Sequence, residues 1–139
     1  MLEERGRQAP EPVKQPVWET KLEKFEPVAL AVSSDAKKLA AGGKKGEVWL
    51  FAADSGKMLG KLTGHEGAIS AVAFSPNGKQ IATGGEDKTA RVWDADTYKE
   101  LASLKDHTDS VSVTAFSPGG EMIATGSADK TVKVWEFRK

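Results

Sequence analysis

Two stretches of this 139-residue chain repeat each other at a fixed offset of 42 positions. His65 and His107 are related in this way, as are Phe74 and Phe116, Asp87 and Asp129, and Trp93 and Trp135. When residues 64–95 are laid over residues 106–137 without a gap, 16 of 32 positions are identical. One further step back finds a third, degenerate copy: Gly84 falls on Gly42, Ile81 on Leu39, Val92 on Leu50, Trp93 on Phe51 and Ser75 on Ser33. Such a chain is a row of like units that bury their faces on one another, not a single irregular core.

Each unit reads as four short strands, A to D. Ile69–Ser75 is β-prone and ends at the turn former Pro76-Asn77-Gly78. Gln80–Gly84 is short and apolar, Glu86-Asp87-Lys88 is a tight turn, and Thr89–Trp93 is the third strand. After Asp94-Ala95-Asp96-Thr97, Tyr98–Leu104 supplies the fourth. A period of about 40–45 residues with four strands per unit is that of propeller blades. The expected fold class is therefore all-β, with three four-stranded antiparallel blades forming a partial propeller or one segment of an oligomeric ring.

The ends match in phase. The third copy stops after strand C, and Val17-Trp18-Glu19-Thr20 lies in strand D register, 84 positions before Leu101–Leu104. The expected division is a proline-containing leader at 1–16, a strand at 17–22 closing the last blade, and blades at 23–64, 65–106 and 107–139. The alternative, Val17-Trp18-Glu19 as a strand C, leaves too few residues before the next strand A at Val28–Val32.

Lys plus Arg and Asp plus Glu number 20 each, so the chain carries no net field to draw nucleic acid or an anionic membrane. It has no cysteine, which removes disulfides and thiolate chemistry. It has no apolar run long enough to span a bilayer, and its polar start is not a signal peptide. A soluble, cytoplasmic location is the expectation.

The sequence resembles the WD40 repeat family. Gly64-His65 opens copy two and Trp93-Asp94 closes its third strand; copy three has Asp106-His107 and Trp135-Glu136. Between them stand Phe74-Ser75-Pro76-Asn77-Gly78 and Ala82-Thr83-Gly84-Gly85-Glu86-Asp87, with Phe116-Ser117-Pro118-Gly119-Gly120 and Ala124-Thr125-Gly126-Ser127-Ala128-Asp129 as counterparts. The resemblance implies hydrogen-bonded tetrads at His65, Thr83, Asp87 and Trp93, and at His107, Thr125, Asp129 and Trp135. Their donors and acceptors balance in a chain from indole to hydroxyl to imidazole to carboxylate. Copy one has Glu23, Ala41, Lys45 and Phe51 at these positions, so its blade must rely on apolar packing. Trp49, at the position of Arg91, is expected outside the usual core.

A His, Thr and Asp set evokes a hydrolase triad, but it occurs twice at the repeat spacing beside a tryptophan that uses the hydroxyl. It is read as architecture. Two histidines in separate blades do not cluster as metal ligands. Gly42-Gly43-Lys44-Lys45-Gly46 lacks the ending of a phosphate loop and lies in a B–C turn. No catalytic, cofactor or metal site is expected. Lys37-Lys38 and Lys44-Lys45 make copy one locally basic, a solvated surface or a site for an acidic partner.

The leading functional expectation is a non-catalytic protein–protein interaction scaffold. The resemblance implies binding where D–A and B–C loops meet, at Lys44, Glu66, Ser70, Glu86, Asp109, Ser112 and Ala128. The alternatives are a regulatory or sensor segment of a larger multidomain protein, or a truncated propeller remnant without a binding role. Three blades leave two apolar faces open. The expected remedies are the remaining blades of a longer chain, pairing with another propeller fragment, or self-association as a dimer of six blades or a trimer of nine.

Overall fold

The computed structural model describes residues 15–137. All eleven elements are strands, arranged as three antiparallel meanders. Blade 1 comprises β1 (Pro27–Val32), β2 (Lys38–Gly43), β3 (Val48–Ala52) and β4 (Met58–Leu62). Blade 2 repeats it with β5 (Ile69–Phe74), β6 (Gln80–Gly85), β7 (Ala90–Asp94) and β8 (Glu100–Leu104). Blade 3 has β9 (Val111–Phe116), β10 (Met122–Ser127) and β11 (Val132–Glu136), with β11 at the sheet edge. The registers keep the 42-residue offset: Ala41 faces Trp49 in blade 1 as Thr83 faces Arg91 in blade 2 and Thr125 faces Lys133 in blade 3.

The A–B turns close by a side-chain device. Ser33, Ser75 and Ser117 each accept a hydrogen bond at Oγ from the backbone five residues on, at Lys38, Gln80 and Met122. The left-handed turn position holds Gly78 (φ 74°) and Gly120 (φ 76°), but in blade 1 it holds Ala36 (φ 60°). A Cβ in that conformation costs about 1–2 kcal/mol.

Packing between blades buries the core. Ala40, Val48, Leu50 and Leu62 of blade 1 meet Ile69, Ile81, Trp93 and Ala95 of blade 2. Ala82 and Val92 of blade 2 meet Ile123 of blade 3, flanked by Ala102, Phe116 and Phe137. Two glycines let the blades approach: a Cβ on Gly42 would come within 2.4 Å of Ile69, and one on Gly84 within 2.8 Å of Val111. Polar ties cross the same junctions. Lys38 Nζ donates to the Ala95 carbonyl (3.0 Å) and pairs with Asp96 (2.8 Å), and Ser70 Oγ donates to the Val111 carbonyl (2.6 Å).

Among the described residues the third blade has the three strands A to C that the repeat gives it. Residues 17–22 form no strand. Trp18 instead docks on blade 1, with Nε1 donating to the Ala53 carbonyl at 2.8 Å. Lys37-Lys38 and Lys44-Lys45 lie at opposite ends of β2, about 20 Å apart for a six-residue strand. The expected leader falls, except for residues 15 and 16, outside the described residues.

Candidate functional site

In blade 2, Trp93 Nε1 donates to Thr83 Oγ1 at 2.9 Å, and Thr83 Oγ1 lies 2.7 Å from His65 Nε2. His65 Nδ1 lies 3.1 Å from both Asp87 oxygens. Indole can only donate and carboxylate can only accept, so the protons run one way: the threonine hydroxyl donates to Nε2, and Nδ1–H donates to the aspartate. Blade 3 has the same chain, from Trp135 to Thr125 (3.0 Å), to His107 (2.7 Å), to Asp129 (2.8 Å).

A fifth member was not foreseen. Thr89 and Thr131 donate through Oγ1 to Asp87 and Asp129, at 2.8 and 2.6 Å. Both threonines were visible at the repeat spacing, two residues after each aspartate, but were read only as strand residues.

The charges follow from this geometry. Burial of His65 disfavours its imidazolium and outweighs the adjacent Asp87, so its pKa lies below the ordinary histidine value. Burial alone would raise Asp87, but the Glu66 amide, the Thr89 hydroxyl and His65 together hold it at about 2. Asp129 is lowered as well, chiefly by the Thr131 hydroxyl. Thr83 is 0% exposed and its oxygen is engaged by both neighbours, so the His–Thr–Asp set presents no nucleophile to solvent. Among the described residues no group of three or more His, Cys, Asp or Glu could hold a metal ion. Among them, too, no helix is long and apolar enough to cross a membrane.

The tetrads also set the loops. Asp87 accepts the amide of Glu66 (3.0 Å), and Asp129 that of Thr108 (3.1 Å). Each B–C turn is tied to its neighbouring D–A loop at one repeated position: the amides of Lys44, Glu86 and Ala128 donate to the carbonyls of Glu26, Ala68 and Ser110. Lys44, Glu66, Glu86, Asp109 and Ala128 thus lie at one end of the blades, all exposed. Ser112 is exposed there too, whereas the Ser70 hydroxyl is occupied by the Val111 carbonyl. A cleft of about 520 Å³ opens at this end of blade 1, with Leu22, Phe25, Lys44, Lys45 and Glu47 among its walls. The glycine-lysine run beside it is a turn between antiparallel strands, closed by Gly46 N–H to the Gly43 carbonyl.

Blade 1 has no tetrad. Phe25, Ala41 and Phe51 form a buried cluster with Leu22, Leu39 and Trp49 around it. The Phe25 ring stacks on Trp49 at 4.4 Å, and Lys61 Nζ sits 4.8 Å from the Trp49 ring centre. Trp49 is therefore outside the tetrad position but inside blade 1's own apolar cluster.

The WD40 family model, described as "WD domain, G-beta repeat", matches residues 56–94 and 98–136. The chain belongs to the WD40 repeat family. The matched segments begin at the end of blade 1, so the degenerate first copy lies mostly outside them. No curated protein sequence matches the chain. Among solved structures it is similar to the RRP9 WD40 repeats (TM-score 0.79, 26% identity, 84% of this chain covered). It is equally similar to the structure of U3-55K (TM-score 0.79, 26% identity, 84% covered). The chain spans 37% of the length of each. WD40 propellers are in general scaffolds for protein interaction.

Proposed function

We propose that this WD40 segment binds a protein partner through the end of the blades that carries the joined D–A loops and B–C turns. One observation carries the reading. Three amide-to-carbonyl ties at 42-residue spacing hold Lys44, Glu86 and Ala128 beside the loops of Glu66 and Asp109, and leave the side chains exposed. The turn amides there are satisfied within the molecule, and the exposed side chains make only exposed contacts, Lys44 with Glu26 at 3.9 Å and Asp109 with the Ser110 amide. The charge changes sign across the face: lysines at blade 1, Glu66 and Glu86 at blade 2 and Asp109 at blade 3. Such a pattern confers orientation and specificity more than raw affinity. Ser70 is left out of this surface, since its hydroxyl joins blades 2 and 3.

The test is charge reversal of Lys44 and Glu86 together, Lys44→Glu with Glu86→Lys. The set of proteins captured by wild type should shrink, while the thermal midpoint stays unchanged because neither side chain packs in the core. An unchanged set of captured proteins would sink the assignment of this end.

A further inference from the structure

The two blade junctions close differently at the end that carries the A–B and C–D turns, opposite the joined loops. Between blades 1 and 2, two side chains tie that end together. Lys38 Nζ donates to the Ala95 carbonyl and pairs with Asp96, and Ser34 Oγ donates to the Pro76 carbonyl at 2.7 Å. Between blades 2 and 3 the repeat puts Gln80 in place of Lys38 and Pro76 in place of Ser34. Proline has no hydroxyl to give, and the shorter glutamine side chain makes no such bond. Both differences are changes of residue inside the repeats.

A cleft of about 420 Å³ lies at this second junction. Lys79 and Gln80 line it from blade 2, Gly119, Gly120 and Glu121 from the A–B turn of blade 3, and Phe137 borders it as well. Gln80 is the informative residue. It is only 4% exposed, and its backbone is bonded to Ser75, through N–H to Oγ and through the carbonyl to the amide. Its side-chain amide has no partner among the described residues. A carboxamide offers an acceptor oxygen and two donors, and native proteins seldom bury such a group without a partner. The walls are uncommitted too. Lys79 and Glu121 hold the same repeat position with opposite charge, both exposed and neither in an ion pair among the described residues. A Cβ on Gly119 or Gly120 would meet nothing within 4 Å, so the blade 3 turn leaves its side of the cleft open.

We infer that this cleft receives an extended peptide segment of a partner protein, with an acidic residue at Lys79, a basic residue at Glu121 and an apolar residue between them. A peptide unit has one N–H and one carbonyl, the complement of the oxygen and the amino group of Gln80. The half-buried Phe137 ring supplies the apolar surface for the middle side chain. The two unpaired charges, one on each wall, select a segment that carries both signs and reject one that carries a single sign. Lys38 does for the first junction, within the chain, what the peptide does for the second. The cleft stands at the opposite end of the blades from Lys44 and Glu86, so it does not depend on the binding proposed there.

The test is an NMR titration of the isotope-labelled full chain with the blocked peptide acetyl-Asp-Leu-Lys-amide. Saturable shifts should appear at the side-chain amide of Gln80 and the backbone amides of Gly119 and Gly120, in the millimolar range expected of so small a ligand. Gln80→Met keeps the length of the side chain and removes its hydrogen bonds. It should weaken binding about tenfold, read at the two glycine amides. Lys79→Glu lies on the exposed wall and should weaken binding of this peptide while binding acetyl-Lys-Leu-Lys-amide more tightly than wild type does. A defect of folding would not create that new preference. The inference is overturned if no shifts appear at these amides, if the peptide moves only amides near Lys44 and Glu86, or if either variant binds as wild type does.

Discussion

Blades 1 and 2 hold the same four strands in the same register by different chemistry. In blade 2, His65 fills the space over Gly85, where a Cβ would come within 2.6 Å of its ring nitrogen. In blade 1 the matching glycine is Gly43, and a Cβ there would come within 2.4 Å of the Phe25 ring. An aromatic ring occupies both places, polar in one blade and apolar in the other. The surroundings follow suit: Thr83 and Trp93 become Ala41 and Phe51, and Arg91, which reaches Glu100 at 2.8 Å, becomes Trp49. The comparison teaches that blades 1 and 2 both place a ring over that glycine, a position where blade 3 has Ser127. The hydrogen-bond chain is one way of holding the ring, and stacking is another.

The largest effect should come from removing the apolar ring. Phe25→Ala would leave a void over Gly43 and expose Trp49 and Phe51, at about 3 kcal/mol. Urea unfolding should show a lower midpoint, with amide exchange faster first in β2 and β3. Breaking the polar version should cost somewhat less. Thr83→Ala leaves the Trp93 N–H and the His65 Nε2 without partners, at about 2 kcal/mol. The same residue is already alanine in blade 1. If Thr83→Ala left the urea midpoint unmoved, the tetrad would be ornament and packing alone would hold blade 2.

Acid should separate the blades. The folded state holds His65 neutral below the ordinary histidine pKa near 6.5 and holds Asp87 ionised down to about 2. In both cases the unfolded chain binds protons first as pH falls. Stability from His65 is therefore lost from about pH 6.5 downward. That from Asp87 is lost between about 4, the ordinary aspartate value, and about 2. The Phe25, Ala41 and Phe51 cluster contains nothing that titrates. Amide exchange compared at pH 7 and pH 4 should show blade 2 loosening and blade 1 unchanged; equal loosening would contradict the contrast. The smallest effect is a gain. Ala36→Gly relieves the left-handed turn position that Gly78 and Gly120 already fill, and thermal melts should show about 0.5–1 kcal/mol of added stability.

The architecture was legible because the repeat exposes it. Turns at Pro76-Asn77-Gly78 and strands flanking Thr83 and Trp93 recur at one offset, and donor and acceptor counting is enough to order the tetrad. Blade 1 was legible only as a departure. Its ring comes from Phe25, two residues beyond Glu23, the position aligned with His65. A position-by-position comparison does not reveal that a residue from a neighbouring position has swung into the gap. The Ser70 hydroxyl was equally opaque: a serine early in strand A looks available until the next blade's Val111 carbonyl is placed beside it. Trp18 was assigned to a strand D register, but it forms no strand and its indole binds the Ala53 carbonyl instead.

The amides of Glu66 and Thr108 are each fixed by a buried-side carboxylate, while the matching segment of blade 1 has the Phe25–Trp49 stack and the Lys44 amide on the Glu26 carbonyl. For a ligand at the proposed binding end this makes two thermodynamic regimes. Contacts made through the loops of blades 2 and 3 fall on backbone that is already ordered, so little conformational entropy is lost on association. Contacts made in the cleft of blade 1 fall on a segment without such a carboxylate, so more of the ordering is left to the moment of association.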